Sequence, residues 1–259
     1  MSELPDALES WDDLQARLQG APVAVFLDYD GTLTPIQARP QDAIMDPAMR
    51  EVVRSLAEQH FVAIVTGRGL ADVKALVDLP TLSYAANHGL EIEGPDFRFE
   101  PDPTLRPTFA SLRERVDGLV AGIEGVVVEH KGLSIAIHVR LVQEAQAAAI
   151  EAGIDEIIAA HPTLRKGTGK KVFELRPTLD WHKGAAVRWL TEHVAETRGE
   201  KPIALFLGDD LTDEDAQVQV RDQGVGIFVG TPLWDSAARF SLRDPAAVGT
   251  FLRRLSAGR

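Results

Sequence analysis

Apolar positions along this chain follow two alternating rhythms. The runs "VAVFLDYD", "FVAIVTG", "SYAANHG", "IALFLGDD" and "VGIFVG" are short and β-branched, several of them apolar on both faces, and read as strands. Between them, "DPAMREVVRSLAEQH", "LADVKALVDL" and "HKGAAVRWLTEHVAET" repeat their apolar residues at helical spacing. Strand and helix in alternation predict a parallel sheet covered on both faces. Ligands of such sheets sit beyond the carboxyl ends of the strands. Here "LDYDG", "VTGRG" and "LGDD" each place polar residues just past an apolar strand. Three strands thus bring chemistry to one edge.

The middle of the chain has a different rhythm. A helical stretch, "LRPTFASLRERVDGLVAGI", precedes "GVVVEHKGLSIAIHVR", which reads as a hairpin turning at Lys131 and Gly132. A second helix, "VQEAQAAAIEAGIDEIIAAH", is followed by a second hairpin, "TLRKGTGKKVFELRP". The expected fold class is therefore α/β: a Rossmann-like parallel-sheet core with an inserted α+β unit of order αββαββ. The expected division is core 1–105, insert 106–177 and core again 178–259, with the proline-containing "EPDPTLRP" and "RPTLDWHKG" as hinges.

Composition narrows the function. The 259 residues are 45% hydrophobic and 25% charged, with no cysteine, so thiolate chemistry and disulfides are excluded. No apolar run approaches the length that spans a bilayer, and the first residues lack an apolar leader segment, so the expectation is a cytoplasmic monomer away from membranes. A net charge of −12 argues against a nucleic-acid binder. That charge is uneven. From Arg106 to Arg176 ten Lys/Arg stand against nine Asp/Glu, leaving −13 for the rest. Either the insert is simply neutral, or it faces an anion.

Asp28 and Asp30 stand directly after a run of Val, Phe and Leu, where carboxylates are costly unless something pairs with them. A carboxylate at a strand end backed by Gly31 and Thr32 can attack phosphorus and form an aspartyl-phosphate. Two carboxylates at about 4 Å from a phosphate dianion would each cost several kcal/mol at an effective dielectric near 20. Such a site needs counter-charge, most simply Mg²⁺ with a lysine, since Mg²⁺ prefers hard oxygens. The sequence offers the matching parts: Asp209, Asp210 and Asp213 in "FLGDDLTDED", Lys183 at a helix start, and Thr66 at another strand end.

The set "DYDGTLTP", "TGR", Lys183 and "GDDLTDE" resembles the haloacid dehalogenase (HAD) superfamily of phosphatases. With "ANHGLEI", "VEHKGLSIAIHVR" and "GKKVFELRP", the chain is similar, more narrowly, to the trehalose-6-phosphate phosphatase family, and the insert to its cap domain. The resemblance implies Asp28 as nucleophile and Asp30 as the acid that protonates the leaving sugar oxygen, then activates water. It implies Mg²⁺ held by Asp28, Asp209 and the Asp30 carbonyl, with Asp213 and Asp210 supporting that shell. Thr66 and Lys183 would hold the transferring phosphoryl group, and Gly31 would let the backbone approach it.

For the sugar, the resemblance implies Glu129, Lys131, Arg140 and Glu174 in the cap, with Lys170 in a "GKK" doublet of ambiguous register. Gly67, Arg68, Asn87 and His88 would meet it from the core side, next to Thr32. Read from the residues alone, Glu129 with Lys131, and Arg140 with Glu174, are also surface cross-strand pairs. His130 and His182 depart from aspartates common in the family, and strand alternation points His130 away from Glu129. The implied reaction is hydrolysis of trehalose 6-phosphate to trehalose and phosphate, the last step of trehalose biosynthesis, under a cap that closes over the core. The rivals are a sucrose-phosphate or mannosylglycerate-phosphate type phosphatase of the same superfamily, and a non-catalytic trehalose-phosphate sensor.

Overall fold

A computed structural model describes residues 4–18, 20–37, 39–169 and 171–258. In chain order it runs α1 (Trp11–Leu18), β1 (Val23–Leu27), α2 (Pro47–Ala57), β2 (Phe61–Val65), α3 (Leu70–Val77), β3 (Ser83–Ala86), β4 (Glu91–Glu93) and β5 (Arg98–Phe99). Then come α4 (Leu105–Val120), β6 (Val127–His130), β7 (Ile135–His138), α5 (Glu144–Ala159), β8 (Leu164–Gly169) and β9 (Val172–Pro177). The chain finishes with α6 (Lys183–Arg198), β10 (Ile203–Gly208), α7 (Glu214–Val220), β11 (Gly224–Val229), β12 (Phe240–Leu242) and α8 (Pro245–Ala257). Among the described residues no helix is long and apolar enough to cross a membrane.

The chain divides into two compact units, one of Met1–Gly67, Ala71–Phe99 and Trp181–Arg259, the other of Arg68–Leu70 and Glu100–Asp180. The first holds an eight-stranded sheet in the order β12-β11-β10-β1-β2-β3-β4-β5. Six strands run parallel, and β4 and β5 add an antiparallel edge. Strand β1 is central, and all five of its residues are buried, which is why "VAVFL" carries no alternation. The core here combines Phe26, Val65, Ile92, Leu190 and Phe206.

Helix ends in this unit follow local chemistry. Asp46 caps α2 by accepting from the Ala48 amide at 2.7 Å, with Pro47 at the first position. At α6 the cap is His182, whose ring nitrogen accepts from the Ala185 amide at 3.4 Å, so a histidine stands in for the usual short acceptor. Gly199 then closes α6 in the left-handed region (φ 74°).

The second unit is a four-stranded antiparallel sheet, β6-β7-β9-β8, with both hairpins formed. Pairing aligns His130, Ile135, Leu175 and Lys166 on one face. This face meets the helices: His130 reaches Asp117 of α4 at 2.8 Å, and Lys166 reaches Glu151 and Asp155 of α5 at 3.0 and 2.6 Å. Ile135, Ile137 and Leu175 are buried there with Phe109, Leu112, Ile150 and Ile154. Glu129, Ala136 and Glu174 align on the other face. His130 therefore points away from Glu129, as alternation predicts.

Candidate active site

Strand register assembles the site in the first unit. Leu27 pairs with Leu207 on one side and Ile64 on the other, so Asp28, Gly208 and Val65 emerge at one level. Asp28, Asp209 and Thr66 follow at the same edge, and the Asp28 amide donates to the Leu207 carbonyl at 2.9 Å. Lys183, the first residue of α6, is 3% exposed and donates to Asp28 Oδ1 at 2.7 Å and to Asp213 Oδ1 at 2.6 Å. A Cβ on Gly184 would overlap the backbone of Asp215, so this glycine lets α6 approach the start of α7 and brings Lys183 to Asp213.

Asp213 is fully buried, and both its oxygens are engaged. One takes Lys183, and Oδ2 accepts the amides of Asp209 and Asp210, each at 3.1 Å. Asp210 is exposed and caps the same turn, accepting from the Leu211 amide at 2.7 Å. The acidic run is thus three different devices. Asp213 braces the loop, Asp210 caps it, and Asp209 is presented to the site.

Burial pushes the Asp28 carboxyl well above its ordinary value and nearby Asp213 adds to this, while Lys183 opposes both. Burial likewise, with Asp213 and Asp210, pushes Asp209 up to about 7. Burial disfavours the Lys183 charge, but Asp213 and Asp28 outweigh it and hold the ammonium above its ordinary range. One lysine does not neutralise three buried or half-buried carboxylates.

Oxygens of Asp28, Asp209 and Asp213 lie within 4.8 Å of one another. Asp209 Oδ1 is buried with no hydrogen-bond partner among the described residues, an expensive state for a carboxylate oxygen. An all-oxygen acidic set with an orphaned, inward oxygen fits a hard divalent cation such as Mg²⁺. With Asp213 already saturated, Asp28 and Asp209 are the carboxylates left to hold it.

The segment after β1 turns tightly, with the Gly31 amide on the Thr34 carbonyl at 2.8 Å and Thr34 on Tyr29 at 3.1 Å. Asp30 lies half-buried in this turn. Gly31 has φ 82°, and a Cβ there would overlap the Asp209 carboxylate. Thr32 is fully buried, and its hydroxyl oxygen has no hydrogen-bond partner among the described residues. Beyond β2, Thr66 donates its amide to Ala85 and accepts from the His88 amide at 2.8 Å. Gly67 lies against the His88 ring, where a Cβ would clash. Asn87, His88 and Gly89 all have positive φ (52°, 57° and 91°). Trp181 holds this strained turn by donating its indole N–H to the Gly89 carbonyl at 2.7 Å.

In the second unit the face opposite the helices carries paired charges. Lys131 Nζ lies 3.7 Å from Glu129 and 3.6 Å from Glu174. Glu174 also accepts from Ser134 at 3.1 Å and faces Arg176 at 3.6 Å. His138 sits 3.4 Å from Glu129. Lys131, His138 and Arg176 thus stand beside carboxylates, and the face alternates donors and acceptors, which suits hydroxyls better than an anion. Arg68, 8% exposed, belongs to this unit, and its charge acts on Glu129. Arg140 is exposed in the turn after β7. Lys170 lies outside the described residues.

The trehalose-phosphatase family model matches residues 26–246. A relative from Oryza sativa subsp. japonica, "Probable trehalose-phosphate phosphatase 3", is 35% identical across 98% of this chain and 75% of its own. The chain belongs to the trehalose-phosphatase family. It is accordingly an enzyme with phosphatase activity. A solved structure described as "trehalose-6-phosphate phosphatase related protein" superposes with a TM-score of 0.75 at 25% identity, over 91% of this chain and 97% of that one. The C-terminal domain of a Candida albicans trehalose synthase regulatory protein gives a TM-score of 0.69 at 14% identity, covering 99% and 100%. That second likeness is one of fold alone.

Three residues of this family member escaped the reading of its sequence. His138, Ser134 and Arg176 share the polar face with Glu129 and Glu174. Alternation from Ala136 and Glu174 carries the signal for His138 and Arg176, because residues two apart along a strand share a face, whereas Ser134 precedes β7 and is placed by its bond to Glu174. Their partners depend on cross-strand register, which the sequence does not display.

Proposed function

We propose that the protein hydrolyses trehalose 6-phosphate to trehalose and phosphate with Mg²⁺, as the final step of trehalose biosynthesis, through an aspartyl-phosphate on Asp28. The observation that carries this reading is the buried Lys183 bridging Asp28 and Asp213 beside the orphaned Asp209 oxygen. Lys183 opposes the burial and the Asp213 charge that favour a proton on Asp28, and holds it in place as the nucleophile. A carboxylate oxygen of Asp28 attacks phosphorus as the bond to the sugar oxygen breaks, and Asp30 gives that oxygen its proton. Asp30 then takes a proton from water, which attacks the acyl-phosphate and frees Asp28. Thr66, the Thr32 hydroxyl and Lys183 hold the phosphoryl oxygens.

Asp28, Asp209 and the Asp30 carbonyl would hold the cation, with Asp213 fixing the Asp209 loop. When bound, it supplies positive charge against the carboxylates and phosphoryl oxygens. The second unit acts as the cap, and its Glu129, Lys131 and Glu174 recognise the sugar hydroxyls. Forked carboxylates matched with ammonium donors suit a disaccharide, which presents donors and acceptors together.

The test is phosphate release from trehalose 6-phosphate, glucose 6-phosphate and sucrose 6-phosphate in parallel, with Mg²⁺ and with EDTA. A metal-dependent preference for the first supports the reading, and preference for another sugar phosphate overturns the substrate. Asp28→Asn should reduce turnover by at least about a thousandfold while retaining the fold, as expected for loss of a covalent nucleophile. Substantial residual turnover would rule out that covalent route.

A further inference from the structure

The Glu129 carboxylate is about one-third exposed, and an exposed Glu samples several rotamers. A group that accepts hydrogen bonds from a sugar gains affinity when its geometry is fixed beforehand. Two nitrogens approach the same oxygen, Oε2: Lys131 Nζ at 3.7 Å and His138 Nε2 at 3.4 Å. They are not equivalent. Lys131 divides its charge between Glu129 and Glu174. His138, among the described ion pairs, bears on Glu129 alone.

Register explains the contact. Val127 pairs with His138 and Glu129 with Ala136, so His138 lies diagonal to Glu129 on the same face. A diagonal pair is within reach of long or ring-bearing side chains. The imidazole has only two torsions and sits on a strand whose preceding residues, Ile135, Ala136 and Ile137, are all buried; its buried Nε2 makes no hydrogen bond among the described residues but stands 3.4 Å from the Glu129 oxygen. The His138 imidazole, with Lys131 and Arg68 adding, holds the Glu129 carboxyl below its ordinary range against the effect of burial.

We propose that His138 is a positioning residue for sugar recognition, its imidazole fixing the Glu129 carboxylate as a hydrogen-bond acceptor without itself touching the substrate. This rests on the reading of Glu129 as a sugar-binding residue. The role differs from those of Lys131 and Glu174, which face the sugar directly. It makes recognition depend on a residue two positions beyond the buried Ala136.

The test is steady-state phosphate release from trehalose 6-phosphate and from p-nitrophenyl phosphate by His138→Ala, His138→Gln, Glu129→Ala and the double variant Glu129→Ala/His138→Ala. His138→Ala should raise KM for trehalose 6-phosphate roughly three- to tenfold, equivalent to about 0.6–1.4 kcal/mol, the scale of one net polar contact. Its kcat, and its rate on the small ester, should stay within about twofold. His138→Gln keeps an N–H donor and should recover most of the loss. In the Glu129→Ala background, His138→Ala should change nothing further. Additive losses in the double variant would mean that His138 meets the sugar itself, and the proposal fails. It fails too if Glu129→Ala raises KM and His138→Ala does not. An unchanged KM in Glu129→Ala overturns the sugar-binding reading of Glu129, and this inference with it.

Discussion

The Lys183 ammonium and the Asp28 carboxylate lie 2.7 Å apart with side chains only 4% and 7% exposed, so Lys183, which also bridges to Asp213 at 2.6 Å, relieves the burial of Asp28. Removing one partner of such a pair leaves an uncompensated buried charge, which costs more than the pair contributes. Lys183→Met should therefore lose about 3–5 kcal/mol of stability at pH 7.5, as well as its activity. Much of that loss should return at pH 5, because burial already raises the Asp28 carboxyl well above its ordinary value and it takes up a proton as the pH falls. Urea denaturation of the variant and wild type at both pH values checks this, and a pH-independent difference would contradict it.

The raised Asp209 value sets a second expectation. The folded, metal-free protein holds a proton on Asp209 up to pH about 7, whereas an unfolded aspartate releases it near about 4. The folded state binds more protons across that window, so metal-free stability should fall as pH rises from about 4 to about 7 and level off above. Asp28, also raised, acts in the same direction. Mg²⁺ should raise the melting temperature more at pH 7.5 than at pH 5.5, because its ligands must lose their protons. Asp209→Asn should flatten both trends in a thermal-shift series, and a variant that keeps the wild-type slopes would contradict this origin.

Gly31 is tied to Asp209 by space. An alanine there would hold φ at 82° at a cost of about 1–2 kcal/mol and press its methyl group into the Asp209 carboxylate. Gly31→Ala should weaken Mg²⁺ binding and lower kcat by about a hundredfold, the cost of misplacing a reacting group by roughly 1 Å. Its melting temperature should drop by only a few degrees. Titration calorimetry with Mg²⁺ separates these effects from general unfolding.

Glu174 offers a test of substrate class. It is held by Lys131, Ser134 and Arg176 on the polar face of the second unit. Glu174→Ala should raise KM for trehalose 6-phosphate at least about tenfold, since a sugar hydroxyl and Lys131 both lose an acceptor. The rate on p-nitrophenyl phosphate should be nearly unchanged. Equal losses on both substrates would place the defect in folding or phosphoryl chemistry instead.

Much of this architecture was legible because strands buried on both faces leave unbroken apolar runs. Asp28, Thr66 and Asp209 stood out as polar residues ending such runs. The antiparallel edge was not legible: Glu91–Glu93 and Arg98–Phe99 are too short to express a period. The residues alone do not divide the acidic cluster, because Asp209, Asp210 and Asp213 are chemically identical; only the family resemblance set Asp209 apart from the other two. Their roles come from one tight turn, which aims Asp213 at Lys183 and at two backbone amides. The three positive φ values at Asn87–Gly89 were likewise hidden, since only Gly89 advertises that conformation.

The two faces of the β6-β7-β9-β8 sheet divide labour. Ile135, Ile137 and Leu175 hold that unit together with its helices, while Glu129, His138, Glu174 and Arg176 lie on the reverse side. Substitution on the reverse side leaves the hydrophobic layer intact, so such variants should remain folded at high frequency. Natural selection, or a laboratory library randomised at these four positions, can therefore vary the chemistry of this polar face with little risk of losing the scaffold.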